Sequence, residues 1–404
     1  MVTSESLEKR KRRPRAGTRP AFFRPSVAPL LNLMFTAITT AGPCCLAGAT
    51  VLGGCGDDAA AGAGASADSQ PVSVMTRNLY LGAELSPLFF APTVPDLATR
   101  AAVAWNQVKQ SNFPERAVVL AGEIADAAPD VVALQEVTLF RTQIPGDWQS
   151  GAAPNATTVE LDFLQLLLQA LDAGGAHYQR AAAGTFTDVE LPATDPTGAS
   201  FDVRLSDRNV ILVRDGLTFT EGPAAAFQAV VALPVGGPGG ATLTLTRGYV
   251  SADVRVGSRT ARVVDSHLEV SGLLGPTQEA QGRELTSALA SYGRPLILTG
   301  DFNSPADGSD TATYMQLTSG APASQRFRDA WQAGSGNATA TRGAGATCCL
   351  DLTAPQATPT QRIDLVLCRG EIRASDARVI PPLKTPSGLW PSDHLGVYAQ
   401  LDLP

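Results

Sequence analysis

The sequence predicts an α/β fold on three observations. From Pro71 onward, strand-like runs of aliphatic and β-branched residues alternate with helix-length stretches of amphipathic period. Hydrophobic residues make up 44% and charged residues 17% of the 404, the balance of a globular chain and not of a disordered, collagen-like or disulfide-scaffold one. No repeat of fixed period is visible.

The elements follow in order. Val72 to Thr76 reads as a short strand ending at Arg77-Asn78, and residues 79–112, with Pro87, Pro92 and Pro95, read as irregular. Pro114 to Ala128 has the period of an amphipathic helix with Val118, Val119, Ile124 and Ala125 on one face, broken by Pro129-Asp130. Val131-Val132-Ala133-Leu134 is a buried strand delivering Gln135-Glu136 at its carboxyl end. A helix is expected over Leu161–Leu171 and strands near His177-Tyr178 and over Asn209–Val213. Gly236 to Gly240 makes a glycine-rich turn, and Tyr249–Val256 with Thr260–His267 makes a hairpin about Gly257-Ser258. Gln278 to Ala290 is helical, Leu296-Ile297-Leu298 runs into Gly300-Asp301-Phe302-Asn303, Ile363 to Leu367 is a strand, and the last strand follows Ser392-Asp393-His394 through Val397 to Leu401.

The first 54 residues are expected to be a leader. Lys9 to Arg13 form a basic run, and no charge occurs between Arg24 and Asp57. Leu52-Gly53-Gly54-Cys55 resembles the lipobox of bacterial lipoproteins. That resemblance implies acylation of Cys55, and Gly56 after it implies the outer membrane of a Gram-negative cell. An uncleaved membrane span, or a start codon placed too early, are the competing readings. Residues 55–70 read as a flexible tether, and residues 71–404 as one catalytic domain that is exported, anchored or secreted, and monomeric.

Net charge is −7 overall, but the leader holds eight of the 31 Lys and Arg and two of the 38 acids, so the remainder is about −13. Lys109 and Lys384 are its only lysines. A broad basic surface tracking a phosphate backbone is therefore not expected, although a local arginine patch and a bound cation can offset the average and keep nucleic acid open as a substrate.

The chemistry gathers at strand ends: Asn78, Glu136, His267, Asp301, Asn303, Asp364, Asp393 and His394. Carboxylates and amides are oxygen donors, which suit a hard divalent cation such as Mg²⁺ better than zinc. The two histidines supply donors for an anionic oxygen or a proton. Together these types point to hydrolysis of a phosphate ester.

The motifs Val131-Val132-Ala133-Leu134-Gln135-Glu136, Asp265-Ser266-His267-Leu268, Thr299-Gly300-Asp301-Phe302-Asn303, Arg362-Ile363-Asp364 and Ser392-Asp393-His394 occur in an order that resembles the endonuclease/exonuclease/phosphatase superfamily, from about residue 71 to 402. The resemblance implies a four-layer sandwich of two mixed β-sheets packed face to face and flanked by helices. It implies Glu136 as the principal Mg²⁺ ligand (Mn²⁺ or Ca²⁺ being alternatives), with Asn78 supporting the metal and phosphate site and Asp393 serving a second metal position. Asp301 would position or deprotonate the attacking water, Asn303 would hold a phosphate oxygen, and His267 and His394 would contact the scissile phosphate. Asp364 would orient His394 and favour its protonated form.

Other residues have two readings. Glu269 supports His267 or faces solvent; His177 packs on its strand; Asp329 caps a helix; Arg208 contacts phosphate or is structural; Leu88-Phe89-Phe90 packs in the core or touches a membrane. One of Cys348 and Cys349 is expected to pair with Cys368, leaving an odd thiol. The substrate is a nucleic acid or a phospholipid head group, with nuclease and sphingomyelinase-like activities as the two forms. A non-catalytic surface binding protein on the same scaffold is the alternative, and it predicts losses among the metal- and water-positioning residues; none is missing.

Overall fold

The computed structural model describes residues 69–148, 153–320, 322–333 and 345–404. The expected leader and all but the last two residues of the expected tether lie outside the described residues. Gln70, the last tether position, is already the first residue of β1 (Gln70–Asn78) and faces Leu403 in the final strand.

After β1 the chain forms α1 (Ser86–Phe89), α2 (Val94–Gln110) and α3 (Phe113–Ala127). The irregular reading of 79–112 is thus overturned. Pro95 sits in the first turn of α2, where its missing N–H costs nothing, and Thr93 caps that turn by accepting from the Asp96 N–H. The buried face of α3 is also different from the expected one: Phe113, Arg116, Ala117, Leu120 and Ile124 point inward, and Val118 is 64% exposed.

Next come β2 (Val131–Gln135), β3 (Leu139–Gln143), β4 (Thr158–Asp162), α4 (Phe163–Ala173), β5 (Tyr178–Thr194) and β6 (Ser200–Arg214). Asp162 caps α4 with Oδ1 accepting the Leu164 and Gln165 N–H groups, so Leu161 belongs to the strand before the helix. His177 does not pack on β5; it is exposed and paired with Asp172 at 2.9 Å. Short strands β7 (Thr218–Glu221) and β8 (Ala225–Ala226) lead to a separate ribbon, β9 (Val231–Val235) with β10 (Ala241–Leu245), closed by the glycine-rich turn. Then follow β11 (Gly248–Val256), β12 (Arg259–His267), α5 (Gly275–Leu289), β13 (Leu296–Asp301), β14 (Arg328–Asp329) and β15 (Asp364–Arg369). Between the last two, Asp329 caps the short helix Ala330–Ala333 by accepting the Trp331 N–H. The chain ends with β16 (Arg373–Val379) and β17 (Val397–Leu403).

One sheet runs β16-β17-β1-β2-β6-β3-β4, with β5 also paired to β6; the other runs β14-β15-β13-β12-β11-β7, with β8 on β11. Neither sheet closes on itself. Side-chain alternation explains the layering. Val72 and Val74 of β1 and Val131 of β2 meet Val250, Val263 and Ile297 of the facing sheet. Their neighbours Met75, Val132 and Leu134 point the other way, onto Leu120, Ile124 and Phe163 of α3 and α4. On the far side Val264 and Leu298 pack against Leu285 and Leu289 of α5. Strands apolar on both faces are what a helix–sheet–sheet–helix sandwich requires.

Two parallel pairs set up the site. β1 and β2 run parallel with Asn78 beside Gln135, and β12 and β13 run parallel with His267 beside Asp301. The first residue of antiparallel β15, Asp364, lies opposite Asp301. The carboxyl ends of both parallel pairs and the amino end of β15 therefore deliver polar side chains to one place.

Candidate active site

Asn78 joins the two sheets. Its Nδ2 donates to Glu136 Oε1 and to Asp301 Oδ2, each at 3.1 Å, while its Oδ1 accepts the Tyr80 N–H at 2.8 Å. Its amide nitrogen thereby orders both carboxylates. Glu136 Oε2 accepts the Leu81 N–H at 2.6 Å, so both of its oxygens are aimed. Tyr80, Glu136 and Asn303 all have positive φ, at 59°, 53° and 46°. Non-glycine residues in this region are uncommon and cost on the order of 1–3 kcal/mol, strain that gathers where function over-determines the backbone.

Asp301 is 1% exposed and lies at the centre. Its Oδ1 accepts the Asn303 N–H at 2.9 Å, and its Oδ2 lies 3.6 Å from His267 Nε2 and 3.7 Å from His394 Nε2. His394 Nδ1 is 2.9 Å from Asp364 Oδ2, and its Nε2 is 4.0 Å from Asp393 Oδ1. Asn303 Nδ2 donates to the Leu268 carbonyl at 2.9 Å and stands 3.4 Å from His267 Nε2. All eight residues expected from sequence are thus brought to one cluster.

The two imidazoles are shifted in opposite directions. Burial would depress His394, but Asp364, Asp301 and Asp393 outweigh it and raise its pKa well above the usual value. His267 is depressed well below, by burial first and then by the cations Arg247 and His394. Burial pushes Asp301 up to about 7 and Asp393 up to about 6 against the pull of His394. Asp301, Asp364 and His394 also place donor atoms within 4.8 Å of one another. Asp364 engages His394 Nδ1, so the ring turns Nε2 toward Asp301.

The oxygen-rich set fits a hard divalent cation. Glu136, Asp301, Asp364 and Asp393 bring four carboxylates together, and Asp364 Oδ1 is buried with no hydrogen-bond partner. A second acidic group, Asp147, Glu190 and Asp202, also brings oxygens within 4.8 Å. Its oxygens accept backbone N–H groups of Asp147, Trp148, Asn155 and Ala156, which ties a loop to the β5–β6 hairpin.

Four residues to which sequence reasoning gives no role of their own, Asp265 appearing there only within the motif around His267, support the cluster. Buried Arg77 donates to the His394 carbonyl and pairs with Glu123 at 3.0 Å. Arg116, fully buried on the inner face of α3, donates to the carbonyls of Leu79 and Pro391 at 2.7 and 2.8 Å, holding the loops that carry Tyr80 and Asp393. A charge inside an apolar helical stripe was the available signal. Asp265 accepts from Gln135 and Asn209 of the facing sheet at 2.5 and 2.9 Å, a polar rivet directly behind the site. Arg247 stands 3.0 Å from His267 Nδ1, pairs with Asp207 at 2.9 Å and lies 3.6 Å from Glu269. Glu269 is therefore buried and supports His267 through Arg247. Arg208 donates to the Val137 carbonyl and to Asp162, a structural role.

The expected pairing of Cys368 is overturned. Cys348 and its neighbour Cys349 form the disulfide, and Cys368 is a free thiol buried in β15. Cys368 lies between the two sheets, while Cys348 sits in a segment bridged to Gln361 and His394. No helix among the described residues is long and apolar enough to cross a membrane.

A family described as the Endonuclease/Exonuclease/phosphatase family matches residues 107–394, more than two thirds of the chain. Similar solved structures include an endonuclease/exonuclease/phosphatase from Bacteroides vulgatus, at 15% identity and TM-score 0.49, covering 83% of this chain and 99% of that one. A humanized D. rerio TDP2 is similar at 17% identity and TM-score 0.46, covering 82% and 98%. The human nocturnin catalytic domain with bound sulfate is similar at 18% identity and TM-score 0.44, covering 83% and 95%. No curated protein matches the sequence.

Proposed function

The chain belongs to the endonuclease/exonuclease/phosphatase family, and from that premise we propose that it is a Mg²⁺-dependent phosphodiesterase, exported and held at a membrane by acylated Cys55. The observation that carries the catalytic reading is the single point, Asp301 Oδ2, approached by Asn78, His267 and His394 at 3.1, 3.6 and 3.7 Å.

Glu136 and Asp301 would hold the cation, with Asp393 beside them, and the cation would supply Lewis-acid stabilisation of charge on a phosphoryl oxygen. Asp301 orients the attacking water and accepts its proton. His394, kept protonated by Asp364, donates from Nε2 to the phosphate. His267, neutral, donates from Nε2 without adding charge, and Asn303 Nδ2 adds a third donor beside it. Nuclease and sphingomyelinase-like activities are both compatible with this chemistry, because such sites are shared across substrates.

The decisive experiment is a metal-dependent panel on the purified protein: plasmid DNA, RNA, sphingomyelin, phosphoinositides and bis-p-nitrophenyl phosphate. Cleavage that a chelator abolishes and Asp301→Ala removes is the expected result. An Asp301→Ala protein with the wild-type rate would overturn the assigned mechanism. For the anchor, radiolabelled palmitate incorporation that persists in Cys55→Ser would exclude that cysteine.

A further inference from the structure

The cluster shares its wall with a second cavity. Leu81, whose backbone N–H donates to Glu136, and Arg247, which contacts His267, both also line a pocket between α2 and the β5–β6 hairpin. The rest of that lining is almost wholly hydrocarbon, with Leu88, Trp105, Phe140, Leu205 and Leu243 among its residues, and the charged groups in it are Asp207 and Arg247. Protein interiors are close-packed, so an apolar void opening beside a reactive cluster calls for an occupant.

We propose that this pocket receives the hydrocarbon chain of an amphipathic phosphoester whose phosphate lies at His267 and His394. The inference rests on the hydrolase reading and narrows its substrate. A nucleobase is the competing occupant, but each base carries several ring-edge donors and acceptors that need partners when buried. The lining offers Thr187, Asp207 and Arg247, and Arg247 Nη1 already donates to Asp207 Oδ2 at 2.9 Å. An alkyl chain asks for no polar partner and gains with every methylene removed from water. The acidic, lysine-poor surface points the same way, because it gives a polyanion little to track. Next to the lining residues Leu88 and Phe89, Phe90 is 74% exposed, an apolar contact for an amphiphile entering from an aggregate or a bilayer.

Two measurements on the full chain test this. Trp105 lies in the wall, so a bromododecyl phosphocholine, used below its micelle concentration, quenches its fluorescence; the quench disappears in Trp105→Phe and needs at least tenfold more ligand in Ala101→Phe, which fills the pocket. Separately, in a series of alkyl 4-nitrophenyl phosphates from methyl to dodecyl with Mg²⁺, kcat/KM rises roughly threefold to fourfold per methylene accommodated, and Ala101→Phe flattens the rise. Quenching without cleavage of any member supports the pocket and defeats the hydrolase reading. Cleavage with a flat series and no quench overturns the pocket and leaves the hydrolase reading standing. Phosphatidylcholine vesicles that compete for the quench identify a bilayer lipid as the source of the chain; competition by monomeric alkyl phosphates alone identifies a free amphiphile.

Discussion

Arg247 donates an N–H to His267 Nδ1 at 3.0 Å, so the ring's remaining proton is carried on Nε2, 3.6 Å from Asp301 Oδ2. That contact sets the ring's tautomer, and burial, with Arg247 and His394, depresses its pKa. His394 is set oppositely by Asp364. The two rings thus present Nε2 to Asp301 from either side, His267 with its pKa depressed and His394 with its pKa raised.

Removing Arg247 should be costly beyond its effect on His267. Asp207 and Glu269 are both buried against it, and truncating one partner of a buried network leaves uncompensated charge worth about 3–5 kcal/mol. Urea denaturation of Arg247→Met is expected to show a loss of that size. Arg247→Met combined with Asp207→Asn should recover part of it, since the orphaned carboxylate is then gone. A single variant with the wild-type midpoint would contradict the network.

Asp364→Asn should lower the pKa of His394, because the carboxylate 2.9 Å away is one of the groups that raise it. A group whose folded pKa lies above its unfolded value stabilises fully below the unfolded pKa, about 6.5, and loses that stabilisation as pH rises through the folded value. In chelator, the wild type should therefore exceed Asp364→Asn by about 1.5–3 kcal/mol below pH ~6.5, with the gap closing at alkaline pH. Calorimetry across pH checks it, and a gap that widens toward alkaline pH would refute the assignment. The basic limb of the activity profile should move to lower pH in the variant.

Much of this was legible from residue order, and the failures have physical causes. Strand-end motifs are local, so Glu136, His267, Asp301 and His394 announce themselves where an apolar run stops. Helix α2 was hidden because Pro92 and Pro95 signal breaks, while a proline in a first turn starts a helix. Arg247 lies between the end of β10 and the start of β11, with no periodicity around it, and its partners are 20 to 40 residues away in the chain. Cysteine pairing depends on distances between elements, which spacing along the chain does not contain. Contacts between distant segments that are polar but not motif-bearing are what sequence alone leaves dark.

Cys368 should be inert in the folded protein. It is 2% exposed between the sheets, and burial pushes its thiol up to about 12. The thiolate is the reactive form, so both access and ionisation are denied. Peptide mapping after alkylation without reductant should find Cys368 unmodified in native buffer and modified in denaturant, with Cys348 and Cys349 unmodified in both. Labelling of Cys348 or Cys349 under those conditions would contradict their disulfide.

The carboxylate cluster should make the protein's stability depend on a cation in a way that separates two variants. Burial raises Asp301 to about 7 and Asp393 to about 6, above the ordinary 3.8. Raised acids stabilise the fold below their unfolded pKa and cease to do so as pH climbs through the folded values, so the metal-free protein should weaken between pH ~4 and ~7. Glu136 adds to that repulsion, being one of the groups that raise Asp393. In chelator at pH 7, Glu136→Gln sheds that charge but keeps an acceptor for only one of its two donors, the Leu81 N–H and Asn78 Nδ2, so the two effects oppose and the variant should come within about 1 kcal/mol of the wild type. Saturating Mg²⁺ should separate the two. A ligand at a hundred times its Kd stabilises the form that binds it by about 2.7 kcal/mol, a gain that Glu136→Gln should largely miss if Glu136 is a ligand. Thermal unfolding of both proteins with and without the ion measures the gap, and equal metal-induced shifts in the two would remove Glu136 from the site.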